Sequence, residues 1–288
     1  MRRWVMAAVF AAAAQGALAA DLPEDFPALR GGITDGLSRN SVNWQGAYAG
    51  GQLGYSSANM NFSNATSSLT SFMLQNLGDQ QIVSSWTLLG SASPSSIGFG
   101  GFAGYNAQWD DVIVGVEANY DHLSGLSGLS ANQLPSIIIA GGAGCLQYGN
   151  KTNLQCGQQL SGSASATVND TLTLRARAGY AFDNFLPYMF GGLALGRVSI
   201  ARSVALTEND TYRDNTTLVV SSVTWPTKTT VADDNNVFAY GYTAGAGVEA
   251  MLWRGLFARG EYEYIKFNTI KNINIQMSTI RAGLGYKF

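Results

Sequence analysis

The stretch that decides the fold is Leu172-Thr173-Leu174-Arg175-Ala176-Arg177-Ala178-Gly179-Tyr180. Every second residue of a β-strand lies on the same face, so this alternation sorts the side chains into two sets. The set that runs from Leu172 to Tyr180 carries no charge, whereas Arg175 and Arg177 share the opposite face. Such a strand has one face suited to hydrocarbon and one face suited to polar partners.

The same alternation recurs along the rest of the chain. We count eight segments of this kind; the fifth is the weakest, and its facing is ambiguous. One segment alone is a weak signal, but eight in succession predict an antiparallel β-sheet with one apolar face. The predicted strands are 44–56, 97–109, 112–120, 171–180, 187–199, 237–251, 256–267 and 275–288.

The connections between these segments alternate in length. Short turns are predicted at 110–111, 182–185 and 253–255. Between them come long connections, which we expect at 57–97, 121–170 and 200–236, and a shorter one at 268–274. This layout is typical of an eight-stranded antiparallel up-and-down transmembrane β-barrel with short periplasmic turns and long extracellular loops.

One predicted loop contains a stretch that favours strand structure. Thr216-Thr217-Leu218-Val219-Val220-Ser221-Ser222-Val223-Thr224 is rich in β-branched residues. We expect it to be strand-like and to prolong the barrel wall.

The composition excludes some partners. Charged residues make up 12% of the 288-residue chain, about half the usual ~25% of soluble domains. The formal net charge of −2 gives no basic field, so no nucleic-acid partner is expected.

The N-terminus predicts export. Arg2 and Arg3 precede an apolar stretch from Trp4 to Ala14, and Ala17-Leu18-Ala19 fits a small-x-small cleavage site. We interpret residues 1–19 as a signal peptide; a short membrane anchor is the alternative, although a spanning helix needs about 20 apolar residues.

The rest of the chain divides into a linker and one domain. Residues 20–43 contain Pro and Gly without periodicity and are predicted to be a periplasmic linker. Residues 44–288 are predicted to form the barrel domain.

The two cysteines are Cys145 and Cys156, in a Gly- and Gln-containing stretch. In an exported protein they predict a loop disulfide. No histidine cluster or Cys-x-x-Cys accompanies them, which disfavours a metal or redox role.

The charged faces of the eight strands should point into the barrel. Buried charges need partners, so we expect an ionic network along the axis. It would act either as a pore lining or as a plug; an eight-stranded lumen has little free room, which favours the plug. The predicted inward charges are Glu117, Arg175, Arg177, Glu249, Arg259, Glu261, Glu263, Arg281 and Lys287.

These strands also carry a family resemblance. The first strand, 44–51, resembles that of small outer-membrane antigens of alpha-proteobacteria, and the central hairpin at 174–194 is similar to theirs. The closing segments, 245–249, 261–262 and 281–288, resemble the same family. The resemblance implies a porin-like or OmpA-like barrel of the immunogenic surface-protein type. It also implies that the C-terminal aromatics Tyr286 and Phe288 are the signal for the barrel-assembly machinery.

The predicted function is a structural and antigenic surface protein of the outer membrane. Its expected partners are outer-membrane lipid, lipopolysaccharide, the assembly machinery and an unidentified extracellular ligand; no enzymatic activity, cofactor or metal is expected.

Three alternatives remain open. The first is a channel or haemin-uptake barrel, with His122 at the rim as the candidate ligand. The second is a lipid-modifying enzyme that uses Asp121-His122-Leu123-Ser124. The third is a soluble secreted β-sandwich or lipocalin-like barrel.

Overall fold

The computed structural model describes residues 42–74, 87–140 and 151–288. The predicted signal peptide lies outside the described residues, as does all of the predicted linker except its last two residues. Cys145 and the side chain of Cys156 lie outside them as well, so the predicted disulfide does too. Across the described ranges, no helix is long and apolar enough to cross a membrane.

The described part of the chain is built almost entirely from strands. Its one short helix is α1. The elements are β1 (Gly46–Asn61), α1 (Ser67–Leu74), β2 (Ser91–Ala92), β3 (Ser95–Trp109), β4 (Val112–Gln133), β5 (Ile137–Ala140), β6 (Lys151–Tyr180), β7 (Phe185–Asp214), β8 (Val220–Thr224), β9 (Lys228–Trp253), β10 (Leu256–Phe267) and β11 (Asn274–Lys287).

Eight of these strands close into a ring. Each pairs antiparallel with its neighbours in the order β1, β3, β4, β6, β7, β9, β10 and β11. The pairing of β11 with β1 then closes the circle. Closure leaves no sheet edge in this part of the molecule, as a wall within hydrocarbon requires. The predicted eight-stranded antiparallel barrel is therefore confirmed.

Tight turns define one end of the barrel, which we call the turn end. The turns follow β3, β6 and β9, and each contains a residue with positive φ: Asp110 (53°), Asp183 (49°) and Arg254 (36°). Gly255, with φ 94°, follows Arg254 and supplies a conformation that other residues adopt at a cost. All three turns lie where the sequence predicted them.

At the opposite end, the strands run well beyond their predicted limits. β4 continues to Gln133, β6 begins at Lys151, and β7 continues to Asp214. The prediction of long loops at 121–170 and 200–236 was therefore largely wrong. These segments pair with one another to form a tall wall on one side of the barrel.

The tall wall includes part of the stretch predicted to be strand-like at 216–224. Val220–Thr224 forms β8 and pairs with residues 209–213 of β7. Residues 215–219 form the connection, in which Leu218 has a positive φ of 57°.

Irregularities in the ladder mark the base of the tall wall. The register shifts between His122 and Leu126 in β4, and between Val168 and Asp170 in β6. Gly125 lies in the first irregularity with φ 82°. A bulge inserts an extra residue and therefore changes which side chains face inward.

Between the bulges and the turn end, the outward face of the barrel carries an apolar belt. Large hydrophobic side chains are exposed on every strand of the ring, and aromatic residues lie towards both edges of the belt. Surfaces of this kind face lipid in transmembrane barrels. Representative exposed members are Leu53, Tyr55, Phe99, Tyr105, Trp109, Val114, Val116, Tyr120, Leu174, Met189, Leu193, Tyr242, Val248, Tyr262, Ile280, Leu284 and Tyr286.

Inside the tall wall, the buried face is mainly aliphatic, and Arg202, Glu208 and Asp210 are also buried there. Leu126, Leu160 and Val204 point inward and are buried. Phe62 and Leu89, described residues of the connection between β1 and β3, belong to the same cluster and are both at most 1% exposed. This apolar core closes the barrel opposite the turn end.

Candidate functional site

An ionic layer fills the middle of the barrel. Its side chains project inward from β4, β6, β9, β10 and β11. All of them have side chains at most 1% exposed except Asp121, which is 9% exposed. The members are Glu117, Asp121, Arg175, Arg177, Glu249, Arg259, Glu261, Glu263 and Arg281.

Glu117 is the centre of this layer. Its carboxylate pairs with Arg175 at 2.5 Å, with Arg259 at 3.0 Å and with Arg177 at 3.2 Å. The Tyr48 hydroxyl donates a further hydrogen bond at 2.7 Å. Asn119 Nδ2 is a fifth donor, at 3.5 Å. The buried carboxylate is thus well compensated for its lost hydration, whereas removing it would leave three cations without their shared partner.

The other carboxylates link the same cations into one network. Glu261 pairs with Arg175 at 2.7 Å and with Arg259 at 2.8 Å. Glu263 pairs with Arg281, and Arg281 reaches Asp121 at 3.2 Å. The network therefore spans the lumen from β4 to β11.

The structure brings eight of the nine predicted inward charges into this layer. Lys287 is the exception, because it lies near the chain end and its Nζ donates to the Gln45 carbonyl at 3.1 Å on an exposed part of the turn end. The alternation of β11 assigns Lys287 to the correct face but does not show that the lumen opens to water there.

Sequence reasoning missed Asp121 among the members of the layer, and it missed the bonds that Tyr48 and Tyr188 donate to the layer. Asp121 shares the parity of Glu117 on β4, so the same alternation could have identified it. Tyr48 faces inward as its strand pattern indicates, but its bond to Glu117 was not foreseen. Tyr188, which donates to Glu261 at 2.5 Å, lies on the strand whose facing was ambiguous.

An aromatic floor lies between the ionic layer and the turn end. Phe102 lies under the Arg259 guanidinium, with 3.6 Å from Cζ to the ring centroid. Phe190 and Tyr188 contact Arg175 and Arg177 in the same way, each at 3.9 Å. Cation–π contacts of this geometry add to the ion pairs. The floor consists of Trp44, Tyr48, Phe102, Tyr188, Phe190 and Phe257.

Inward glycines make room for these rings. A Cβ atom at Gly285 would lie 2.3 Å from the Phe257 ring, and one at Gly50 would lie 2.3 Å from the Phe102 ring. Gly260 shows the contrast, because a Cβ built there would meet no atom within 4 Å. Gly50 and Gly285 therefore leave the space that the aromatic floor occupies.

A second polar cluster lies on the outside of the barrel, at the wall end of the apolar belt. We call Tyr120, His122, Asp170 and Arg197 the outer cluster. The Asp170 carboxylate accepts a hydrogen bond from the Tyr120 hydroxyl at 2.8 Å and lies 2.8 Å from His122 Nδ1. Arg197 forms an ion pair with the same carboxylate.

This geometry corrects the expected setting of His122. The residue does not end a strand at the rim, because β4 continues for eleven more residues to Gln133. Asp121 points into the ionic layer and His122 points outward, so the two adjacent residues do not form a joint site. The acidic partner of His122 is Asp170 of the neighbouring strand.

Other candidate residues are placed as follows. Tyr286 and Phe288 lie on the outward face at the turn end, with ring centroids 5.5 Å apart. The Phe288 amide donates to the Ala47 carbonyl at 2.9 Å, which ties the C-terminus to β1. Within the described ranges, no group of three or more His, Cys, Asp or Glu side chains is arranged to hold a metal ion.

Comparisons with known proteins agree with this architecture. The family model of the outer membrane protein beta-barrel domain matches residues 5–288. The 25 kDa outer-membrane immunogenic protein of Brucella ovis is 27% identical over 200 residues, covering 69% of this chain and 68% of the relative. The 22 kDa outer membrane protein of Rhizobium leguminosarum bv. viciae is 26% identical, covering 66% and 67%.

Among solved structures, Neisserial surface protein A aligns with 84% of this chain and 97% of its own chain. The TM-score is 0.33 and the sequence identity is 12%.

Proposed function

Since the chain belongs to the outer membrane protein β-barrel domain family, we propose that it is a closed surface barrel of the outer membrane. In this role it anchors a folded wall on the cell surface and conducts no solutes. Its apolar belt faces lipid, and its short turns face the periplasm, as in other bacterial outer-membrane barrels.

The ionic layer is the main observation that supports a closed lumen. Four guanidinium groups and five carboxylates contact one another across the lumen. The aromatic floor lies on one side of this layer and the apolar core of the tall wall on the other. A pore lining would leave its charges exposed to water, whereas these side chains are buried and form ion pairs with each other. The layer therefore supports a plug.

The tall wall is the part that the cell presents outward. Its strands extend beyond the belt and carry their own core, so it is a folded surface rather than a set of loops. Relatives of this chain in Brucella are named outer-membrane immunogenic proteins. We extend that property to this chain and assign the antigenic surface to the outward residues of the wall.

The outer cluster contains the histidine of the enzymatic alternative. His122 Nδ1 has an acidic partner, but no hydroxyl among the described residues hydrogen-bonds to Nε2 as a nucleophile would.

The C-terminal aromatics Tyr286 and Phe288 are exposed at the turn end, which suits recognition by the assembly machinery from the periplasm.

Planar-bilayer recording tests the closed state. We expect the full chain, refolded in detergent and inserted into the bilayer, to show no unitary current steps. A water-filled porin reconstituted in the same lipid would serve as the positive control. Reproducible steps from preparations with heat-modifiable gel migration would contradict the proposal.

A further inference from the structure

We propose that the outward face of β4, β6 and β7 binds one molecule of lipopolysaccharide, with a lipid A phosphate on Arg197 and His122. This inference depends on the location of the protein in the outer membrane, but it does not depend on whether the lumen is closed. Three consecutive zones of this face support it, and each suits one part of the lipid.

The first zone is an apolar groove on the lipid-facing side. It has a volume of about 350 Å³, and its apolar lining includes Leu172, Leu195 and Phe238. These side chains are 37%, 43% and 77% exposed, so protein atoms leave much of their surface uncovered. An apolar groove at the edge of the belt suits the upper part of an acyl chain.

The second zone is the outer cluster, which borders the groove. Asp170 and Arg197 line the groove together with the apolar residues. The side chains of Arg197 and His122 are 46% and 41% exposed, whereas that of Asp170 is 12% exposed. A ligand approaching this surface meets the two nitrogen-bearing side chains before it meets the carboxylate.

Asp170 orients these two side chains. Its carboxylate holds His122 through Nδ1 and holds Arg197 through one terminal nitrogen of the guanidinium. A guanidinium has five N–H donors, so Arg197 retains donors for a second anion. Arginine is well suited to phosphate because its planar fork matches two phosphate oxygens.

The third zone is an uncharged hydroxyl surface on the tall wall. Ser163 and Ser203 lie 2.8 Å apart on neighbouring strands, and Thr167 donates to Ser127 at 2.9 Å. Asn169 donates to Ser199 at 3.3 Å, next to the outer cluster. Hydroxyl groups with lone pairs left free can accept hydrogen bonds from sugars.

The order of the zones identifies the lipid. Acyl chains, phosphate and sugars follow one another along lipopolysaccharide, and the three zones follow one another along β4, β6 and β7 in the same order. A glycerophospholipid would use the groove and the outer cluster but would not reach the hydroxyl surface.

Lipid binding to the purified full chain in micelles, measured by native mass spectrometry, tests the proposal. The probes are bis-phosphorylated lipid A, the same lipid A after removal of both phosphates, and a rough lipopolysaccharide that carries core sugars. We expect the wild type to prefer the phosphorylated lipid A about fivefold, and R197Q to lose this preference, since the phosphate contact is charge-assisted but partly exposed. The rough lipopolysaccharide should bind more tightly than lipid A alone.

Lys266→Gln is the matched control. Lys266 is another exposed cation, and it lies on β10, away from the groove. K266Q should keep the preference, and R197K, which keeps the charge, should keep most of it. H122Q should lose part of it.

Three results would overturn the proposal. The first is that the wild type binds both lipid A forms equally. The second is that K266Q and R197Q lose the preference for phosphorylated lipid A to the same extent. The third applies if R197Q fails to fold, and it is that H122Q keeps the full preference. Conductance plays no part in this readout, so the closed state and the lipid site are tested separately.

Discussion

The interiors of the two halves of the barrel differ in polarity, being ionic in one half and mainly aliphatic in the other. We call the part between the bulges and the turn end the lower half, and the tall wall the upper half. In the lower half, the interior is ionic and the outward face is apolar. Glu117 is buried in the lumen, whereas Val116, next to it in sequence, is 64% exposed. In the tall wall, Val204 is fully buried inside, whereas its neighbour Ser203 faces outward. The same strand β7 passes through both halves.

This difference shows that the medium around the barrel decides which face of a strand is apolar. In the lower half, hydrocarbon surrounds the barrel and the charges can find partners only inside. In the upper half, water surrounds the wall and the ordinary hydrophobic effect gathers aliphatic side chains inside. The bulges at 122–126 and 168–170 lie where one arrangement gives way to the other.

Removing the central carboxylate should have the largest effect. Glu117→Ala leaves Arg175, Arg177 and Arg259 without their common partner, so we expect the unfolding free energy to fall by about 3–5 kcal/mol. Urea unfolding in micelles, followed by tryptophan fluorescence, measures this loss.

Lys287→Ala provides the control for Glu117→Ala. It also removes one charge from an inward position of a strand, but this charge lies outside the ionic layer, so stability should change by less than about 0.5 kcal/mol. Equal losses in the two variants would mean that the network is not the source of stability.

An apolar substitution in the upper half should act locally. Phe62→Ala removes a fully buried ring from the core of the tall wall, at an expected cost of about 3 kcal/mol. Trypsin should then cleave the wall faster, for example after Lys228. The lower half should keep its heat-modifiable gel migration, because its aromatic floor belongs to a different hydrophobic cluster from Phe62.

Phe72→Ala is the matched control on helix α1. Its ring is 63% exposed, so cleavage should match that of the wild type. Unchanged cleavage in Phe62→Ala, or loss of heat-modifiable migration, would contradict the independence of the two halves.

The smallest expected effect concerns acid sensitivity at the edge of the wall. A hydrogen bond from Lys271, at 3.1 Å, holds the pKa of the Asp234 carboxyl below its ordinary value, and Arg202 at 2.9 Å acts in the same direction. A lowered pKa means that the stabilisation is present above pH ~4 and is lost as the pH falls through the folded-state pKa.

Lys271→Ala should therefore reduce the protection of residues 228–236 against amide exchange at pH 7, and the difference from the wild type should shrink near pH 3. The effect should stay below about 1 kcal/mol, because the pair is partly exposed. A difference that is constant between these pH values would exclude the ion pair as its cause.

The strands of the lower half could be predicted because the rule that separates their two faces is strict. A charge on the lipid-facing side is costly, so alternation alone places Glu117, Arg175 and Arg177 inside. The same rule located the three short turns. It did not identify Lys287 as an exception, because a strand pattern carries no information about where the lumen meets water.

The upper half could not be predicted from the same alternation. Residues 161–167 read Ser-Gly-Ser-Ala-Ser-Ala-Thr, in which small inward residues alternate with small outward hydroxyls. This contrast is too weak to separate a strand from a loop. The outer cluster was missed for a different reason, because His122, Asp170 and Arg197 come from three strands whose register the sequence does not state.

The hydroxyl ladder of the tall wall has a consequence for variation at the cell surface. Alternate residues of β6 and β7 support the core, while those between them lie on the outward face, where some of them pair only with each other across the strands. Point substitutions at the outward positions can therefore alter what antibodies or phages encounter without changing the fold, so diversification here needs no insertions or deletions.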